Sequence, residues 1–224
     1  MTEIKINKYL NKIFTIKSIT NSFATVEEAQ FKIFVIGNSN KSNTVRTIAI
    51  IEKEDNFTLI GCCDNKKYIQ PEIEILAKNI FKNSIKAYFL YEKSCGAIVY
   101  YKQNNKLLYL IVKNRDGHFG APKGHIEIGE SEIDTAKREV FEETGLLVEI
   151  DETFKTTCNY TVKKFVKKEV VYFIAKADSK NIKLAFDEIG DYLILPFDEM
   201  IKFITHDNDK EIFVKADTYL KSLA

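Results

Sequence analysis

The feature that most constrains this chain is the run from Gly117 to Leu146, a glycine-dense loop that feeds directly into a charged helix. Its first part, Gly117-His118-Phe119-Gly120-Ala121-Pro122-Lys123-Gly124, marks a loop whose backbone can pass close to a ligand. Ser131 occupies an N-cap position with Asp134 three residues on, and Gly145 stands where a C′ residue ends a helix. Between them Ile133, Ala136 and Val140 recur at helical spacing as one buried stripe. Glu139, Glu142 and Glu143 fall on an adjacent face at i, i+3 and i+4, a spacing at which like charges weaken an isolated helix. The arrangement calls for a cation among them, and hard oxygen donors suit Mg²⁺, with Mn²⁺ as the alternative. Taken alone, the three acids also read as a solvated helix face.

The longer pattern decides against that reading. From Gly124 to Glu130, on to Arg138-Glu139, and then to Glu142-Glu143 and Gly145-Leu146, the spacing resembles the Nudix box at every defining position. The resemblance implies a loop–helix–loop that binds divalent metal and cleaves a diphosphate linkage. On that reading two or three ions sit on Glu139, Glu142, Glu143 and the Gly124 carbonyl, while Arg138 pairs with Glu130 to orient the helix carboxylates. A glutamate, either one of the helix set or Glu188, takes the proton from the attacking water.

Within the family, Ala121-Pro122-Lys123-Gly124-His125-Ile126-Glu127 is similar to the form found in asymmetrically cleaving diadenosine tetraphosphate hydrolases. Lys123 and His125 would then contact a polyphosphate. Those relatives often carry Trp shortly before Pro-Lys-Gly, whereas this chain offers Phe119. Asn159-Tyr160 resembles a pair whose tyrosine stacks on adenine, so Tyr160 is a candidate base contact. Glu188, with Asp187 and Asp191 as neighbours that could substitute, falls where relatives place a glutamate outside the box. Just before the last helix, where relatives supply a second aromatic, the chain reads Thr205-His206-Asp207-Asn208, with His206 as the stand-in.

The resemblance extends from about Ser94 to the C-terminus. The expected organisation is therefore a small α+β accessory domain over 1–92 and a Nudix domain over 93–224, the latter an α/β/α sandwich with a mixed sheet. In the second domain the strand Ser94–Tyr101, a turn at Gln103–Lys106 and the strand Leu107–Val112 lead to the box. Strands Phe154–Tyr160 and Glu169–Ala175 then flank a basic turn with Lys163, Lys164, Lys167 and Lys168. A last helix covers Asp209–Leu223.

In the first domain Phe14–Ile16, Lys32–Ile36, Thr44–Glu54 and Asn56–Cys63 read as strands, the last two joined at Lys53-Glu54-Asp55-Asn56, and Gly37–Asn43 as a polar loop. Gln70-Pro71 opens a helix carrying Ile73, Leu76, Ala77 and Ile80, and Ile85–Tyr91 is a strand. The aromatic residues of this half read as core rather than as base-stacking platforms. A binding or dimerisation role stays open.

Composition narrows the function classes. A net charge of +1 gives no global case for nucleic-acid or membrane binding, leaving only a local patch. Nucleic acid enters only as a capped or triphosphorylated RNA 5′ end. No apolar run spans a bilayer and the N-terminus lacks a signal core, so the expected compartment is the cytoplasm. Cys62, Cys63, Cys95 and Cys158 form neither a metal pair nor a disulfide framework. The favoured expectation is a hydrolase that splits diadenosine tetraphosphate into ATP and AMP. The alternatives are another Nudix pyrophosphatase, acting on RNA 5′ ends or nucleotide sugars, and a low-turnover nucleotide-sensing protein.

Overall fold

The computed structural model describes residues 9–20, 22–26, 32–36, 43–53, 56–64, 66–81, 86–163, 166–185 and 187–223. The expected polar loop over 37–42, the turn at Glu54-Asp55, the strand start at Ile85, Lys164 and Phe186 lie outside the described residues. The fold divides into two compact units, residues 1–92 with 161–168, and residues 93–160 with 169–224.

In the first unit, β1 (Ile13–Thr20) pairs antiparallel with β2 (Phe23–Val26), and β2 with β3 (Lys32–Ile36). Next to β3, and parallel to it, runs β5 (Asn56–Cys62), which pairs antiparallel with β4 (Thr44–Lys53). Because β4 also pairs with the start of β1, through Ile13↔Arg46 and Thr15↔Thr44, the ring closes into a five-stranded barrel. Closure satisfies backbone groups that an open sheet would leave at its edges. Alternation drives it: on β2, Ala24 and Val26 point inward and are buried while Phe23 and Thr25 remain half-exposed. Ile73 and Ala77 of α1 (Gln70–Phe81) join the same core, and β6 (Lys86–Phe89) extends the sheet from β4.

In the second unit, β7 (Tyr91–Gln103) and β8 (Lys106–Asn114) form a hairpin whose turn residues Asn104 and Asn105 have φ of 49° and 59°. Asparagine tolerates that left-handed geometry, which matches the strand twist. Then follow β9 (Phe119–Gly120), β10 (Lys123–His125), α2 (Glu132–Thr144), β11 (Glu149–Lys163), β12 (Val166–Lys176), β13 (Ile189–Pro196), α3 (Phe197–Met200) and α4 (Asp207–Ser222). The central order is β11-β12-β7-β8-β13. Ala177 N–H bonds to Tyr100 O and Lys167 N–H to Leu90 O, so β12 climbs parallel to β7 while β8 and β13 run antiparallel: the sheet is mixed.

Both faces of this sheet are covered, which is why β7 and β8 read as nearly continuous apolar runs. Val99, Leu110 and Phe173 pack with Ala136 and Val140 of α2, whereas Ile98, Tyr109 and Tyr172 pack with Ile212, Phe213 and Ala216 of α4. The result is the α/β/α sandwich. Two boundaries differ from expectation. Strand β11 runs past Tyr160 to Lys163, so Lys167 and Lys168 lie in β12 rather than in a turn; and α4 begins at Asp207, placing Asp207 and Asn208 inside the helix. Among the described residues no helix is long and apolar enough to cross a membrane.

Candidate active site

The site grows from two glycines and one arginine. Strand β10 pairs with β7 through Lys123↔Gly96, Gly124↔Cys95 and His125↔Ser94, which lays the loop against the sheet. A Cβ on Gly96 would meet Pro122 O at 2.3 Å and the Lys123 Cβ at 2.5 Å. On Gly124 a Cβ would instead meet the Glu139 carboxylate, at 2.1 Å from Oε2 and 2.2 Å from Cδ. Gly124 therefore keeps open the recess that Glu139 fills. Its φ is outside the left-handed region, so close approach rather than backbone strain requires glycine there.

Helix α2 brings in the acids with both ends fixed. Ser131 caps it in a box with Asp134, and Gly145, at φ 70°, donates its N–H to Phe141 O at 2.7 Å. Arg138 then ties the set together. Its Nε and Nη2 donate to the two Glu130 oxygens at 2.6 and 2.9 Å, and its Nη1 donates to Glu139 at 2.7 Å and Glu142 at 2.8 Å. Nη2 also reaches His125 O at 2.9 Å, joining helix to loop. Glu130 further accepts from Thr135 Oγ1 and Glu127 N–H. Its carboxyl is held at about 2, chiefly by Arg138.

Beyond the arginine the balance reverses. Glu139 and Glu143 are both buried, at 7% exposure each, and burial raises both carboxyls, that of Glu143 to about 8. The Lys123 ammonium and backbone N–H oppose the shift at Glu143, while the charges of Glu139 and Glu188 add to it. Glu143 Oε2 is buried without a hydrogen-bond partner. The cation expected between Glu139 and Glu142 is, with the side chains as they stand, the Arg138 guanidinium, and among the described residues no three acidic, His or Cys side chains converge as a metal cage. Even so, the donor set fits a hard cation: oxygen only, a recess kept by Gly124, and one orphaned carboxylate oxygen whose charge burial penalises.

Glu188 sits exposed on the turn before β13, close enough to raise both Glu139 and Glu143. Of its two neighbours, Asp187 accepts from Arg115 Nε through its backbone oxygen, and the Asp191 carboxylate accepts the Tyr192 N–H. His125 is exposed at the end of β10, beside the helix through its own carbonyl.

Tyr160 lies 37% exposed on β11, and the hydroxyl of buried Tyr172 donates to Asp209 Oδ1 at 3.1 Å. Asp209 and the Lys123 ammonium both border Gly120, and Asp209 in turn accepts from Tyr172. Sequence reasoning missed Asp209, which carries no motif. It also missed Phe203, 47% exposed and edge-on to Phe119 at 5.9 Å, which supplies an aromatic shortly before the last helix. His206 instead packs against His118, ring centroids 4.8 Å apart. The cue available was Phe203 itself, two residues upstream of Thr205.

A family model described as NUDIX domain matches residues 91–216. The mouse bis(5′-nucleosyl)-tetraphosphatase [asymmetrical] is 30% identical over 107 residues, covering 43% of this chain and 72% of that protein. The NAD-capped RNA hydrolase NudC of Actinobacillus succinogenes is 32% identical over 117 residues, covering 49% of this chain and 43% of that protein. A C. elegans crystal structure, an Ap4A hydrolase binary complex, superposes with a TM-score of 0.55 at 26% identity, covering 58% of this chain and 98% of that one.

Proposed function

The chain belongs to the NUDIX family and is a NUDIX hydrolase, and from that footing we propose that it splits diadenosine tetraphosphate into ATP and AMP by attack of water on phosphorus. The observation that carries the chemistry is the acid cluster of α2, with Glu139 and Glu143 buried and one Glu143 oxygen unpartnered beside the Gly124 recess. Glu139, Glu142, Glu143 and the Gly124 carbonyl would hold Mg²⁺, or Mn²⁺ in its place. When bound, the metal neutralises phosphate charge and lowers the pKa of water.

The chain's own residues do the rest. Arg138 ties Glu139 and Glu142 to the loop at His125 O, so helix and loop stay in register while the carboxylates turn toward a bound cation. Lys123 and His125 contact the polyphosphate, and Tyr160 stacks on a base, an interaction worth about 1–3 kcal/mol that leaves base identity open. Glu188, exposed beside the buried pair, takes the proton from the attacking water. The substrate is supported by the tetraphosphatase and Ap4A hydrolase relatives. A second reading, hydrolysis at an RNA 5′ end, is favoured by the likeness to the NAD-capped RNA hydrolase.

Ion-exchange product analysis with Mg²⁺ separates them, giving the protein diadenosine tetraphosphate, a nucleoside triphosphate, a nucleotide sugar, and RNA with a triphosphate or NAD cap in parallel. Preferential formation of ATP and AMP, abolished by Glu142→Gln, supports the proposal. Preferential RNA cleavage replaces it with the second reading, and no turnover of any substrate leaves a nucleotide-sensing protein.

A further inference from the structure

We infer that the first unit is a binding module for single-stranded nucleic acid, with the outer face of β2 and β3 as its platform. The inference is independent of the substrate assigned to the catalytic unit.

Topology is the first support. A five-stranded Greek-key barrel in the order β1-β2-β3-β5-β4, closed by β1 against β4 and with β3 parallel to β5, has the connectivity of the oligonucleotide- and oligosaccharide-binding barrels. Those barrels use the face of strands 2 and 3, but fold alone does not specify a ligand. The side chains on that face do. Phe23 and Phe34 are register partners across β2 and β3, both partly buried and Phe34 packed in part against the core, with ring centroids 5.1 Å apart and planes at 83°. Their neighbours Ala24 and Ile33 point inward at 0% exposure, so the aromatic pair belongs to the outer wall. Around it Thr25 faces exposed Lys32, and exposed Lys17 and Ser18 sit at the bulge opposite Thr25. Aromatic rings flanked by cations and hydroxyls are the pattern that stacks unpaired bases and tracks their phosphates.

Charge points the same way. Residues 1–92 and 161–168 hold 17 Lys and Arg against 10 Asp and Glu, net +7; the other unit holds 16 against 22, net −6; together they make the chain's +1. A neutral oligosaccharide would gain nothing from the positive unit, and a second copy of it would be repelled. A duplex would hide the base faces that the rings require. Single-stranded nucleic acid uses both the rings and the charge.

The test is fluorescence anisotropy of the full chain with a labelled oligouridylate of about 12 nucleotides, a span within reach of one such barrel. A duplex of the same length and a series of salt concentrations are run in parallel. Wild type should prefer the single strand. Phe23→Leu and the pair Lys17→Glu/Lys32→Glu should each weaken binding roughly tenfold, with hydrolysis of small nucleotides and Tm unchanged. Losing each lysine should also flatten the logarithmic salt slope by about 0.7. Should Phe23→Leu lower Tm, crosslinking of a 4-thiouridine oligomer to wild type takes its place, and the peptides carrying Phe23 or Phe34 should be labelled. Absence of binding, equal affinity for duplex, affinity unchanged in the lysine pair, or crosslinks confined to other strands would overturn the assignment.

Discussion

Replacing Gly124 by alanine should silence the site while sparing the fold. The new Cβ would lie 2.1 Å from Glu139 Oε2, so the carboxylate must retreat by about 1.3 Å to reach the 3.4 Å of ordinary contact. That retreat pulls it from Arg138 Nη1, now at 2.7 Å. The obstacle is the end of a flexible side chain, so the lost charge-assisted bond costs about 1.5–3 kcal/mol. Alanine's smaller unfolded-state entropy offsets about 0.4–1 kcal/mol of that. Tm should therefore fall by only about 1–10 °C. Misplacing a catalytic carboxylate by about 1 Å costs on the order of 100-fold in rate, or about 2.7 kcal/mol.

Gly96→Ala is the contrasting variant. Its Cβ would meet the backbone of Pro122 at 2.3 Å, which cannot swing aside, so β10 should detach at a cost of about 3 kcal/mol. Differential scanning fluorimetry and initial rates measured on the same preparations separate the two outcomes. A folded Gly124→Ala protein within about threefold of wild-type kcat/KM would refute the reasoning that close approach at Gly124 seats Glu139, since a 1 Å displacement should cost far more.

Other outcomes follow from the same contacts. Arg138→Lys keeps the charge but loses the fork that reaches Glu130, Glu139, Glu142 and His125 together, and should lower kcat about 100-fold with a smaller change in KM, read by steady-state kinetics. Glu143 is raised to about 8 from an ordinary 4.5, so its contribution favours the fold below about pH 4.5 and is lost as pH rises through 8. Metal-free wild type should lose Tm across that window and Glu143→Gln should lose less, the remainder coming from Glu139, and Mg²⁺ should raise the wild-type Tm most at the alkaline end. Cys95 is fully buried with its thiol pushed up to about 12, so thiol reagents should label it only after unfolding, as mass spectrometry of labelled peptides would record.

What could be read from sequence was local. Ser131, Asp134 and Gly145 set the ends of α2 through contacts three or four residues long, and Asn104-Asn105 set the β7–β8 turn by their own backbone preference. The positions of Glu139, Glu142 and Glu143 followed from helical spacing. Arg138 is legible as a partner of Glu130, and its i,i+4 spacing to Glu142 lies in the sequence as well; its bond to His125 O is not legible, because that depends on where β10 lies. Barrel closure was illegible for the same reason, since Ile13↔Arg46 joins segments with no shared pattern. Net charge misled by averaging: the lysines of Thr161–Lys168 cluster with the first unit, and only that assignment exposes its excess of cations. Phe203 is illegible as the second aromatic because it lies four residues before the helix start at Asp207, and only the fold brings it edge-on to Phe119.

The most direct test of the central claim is to identify the products of diadenosine tetraphosphate incubated with wild type and with Glu143→Gln, each with and without Mg²⁺. Equal amounts of ATP and AMP, formed by wild type only with the cation and not by the variant, are the predicted result. Two molecules of ADP, or the same turnover from Glu143→Gln, would contradict it.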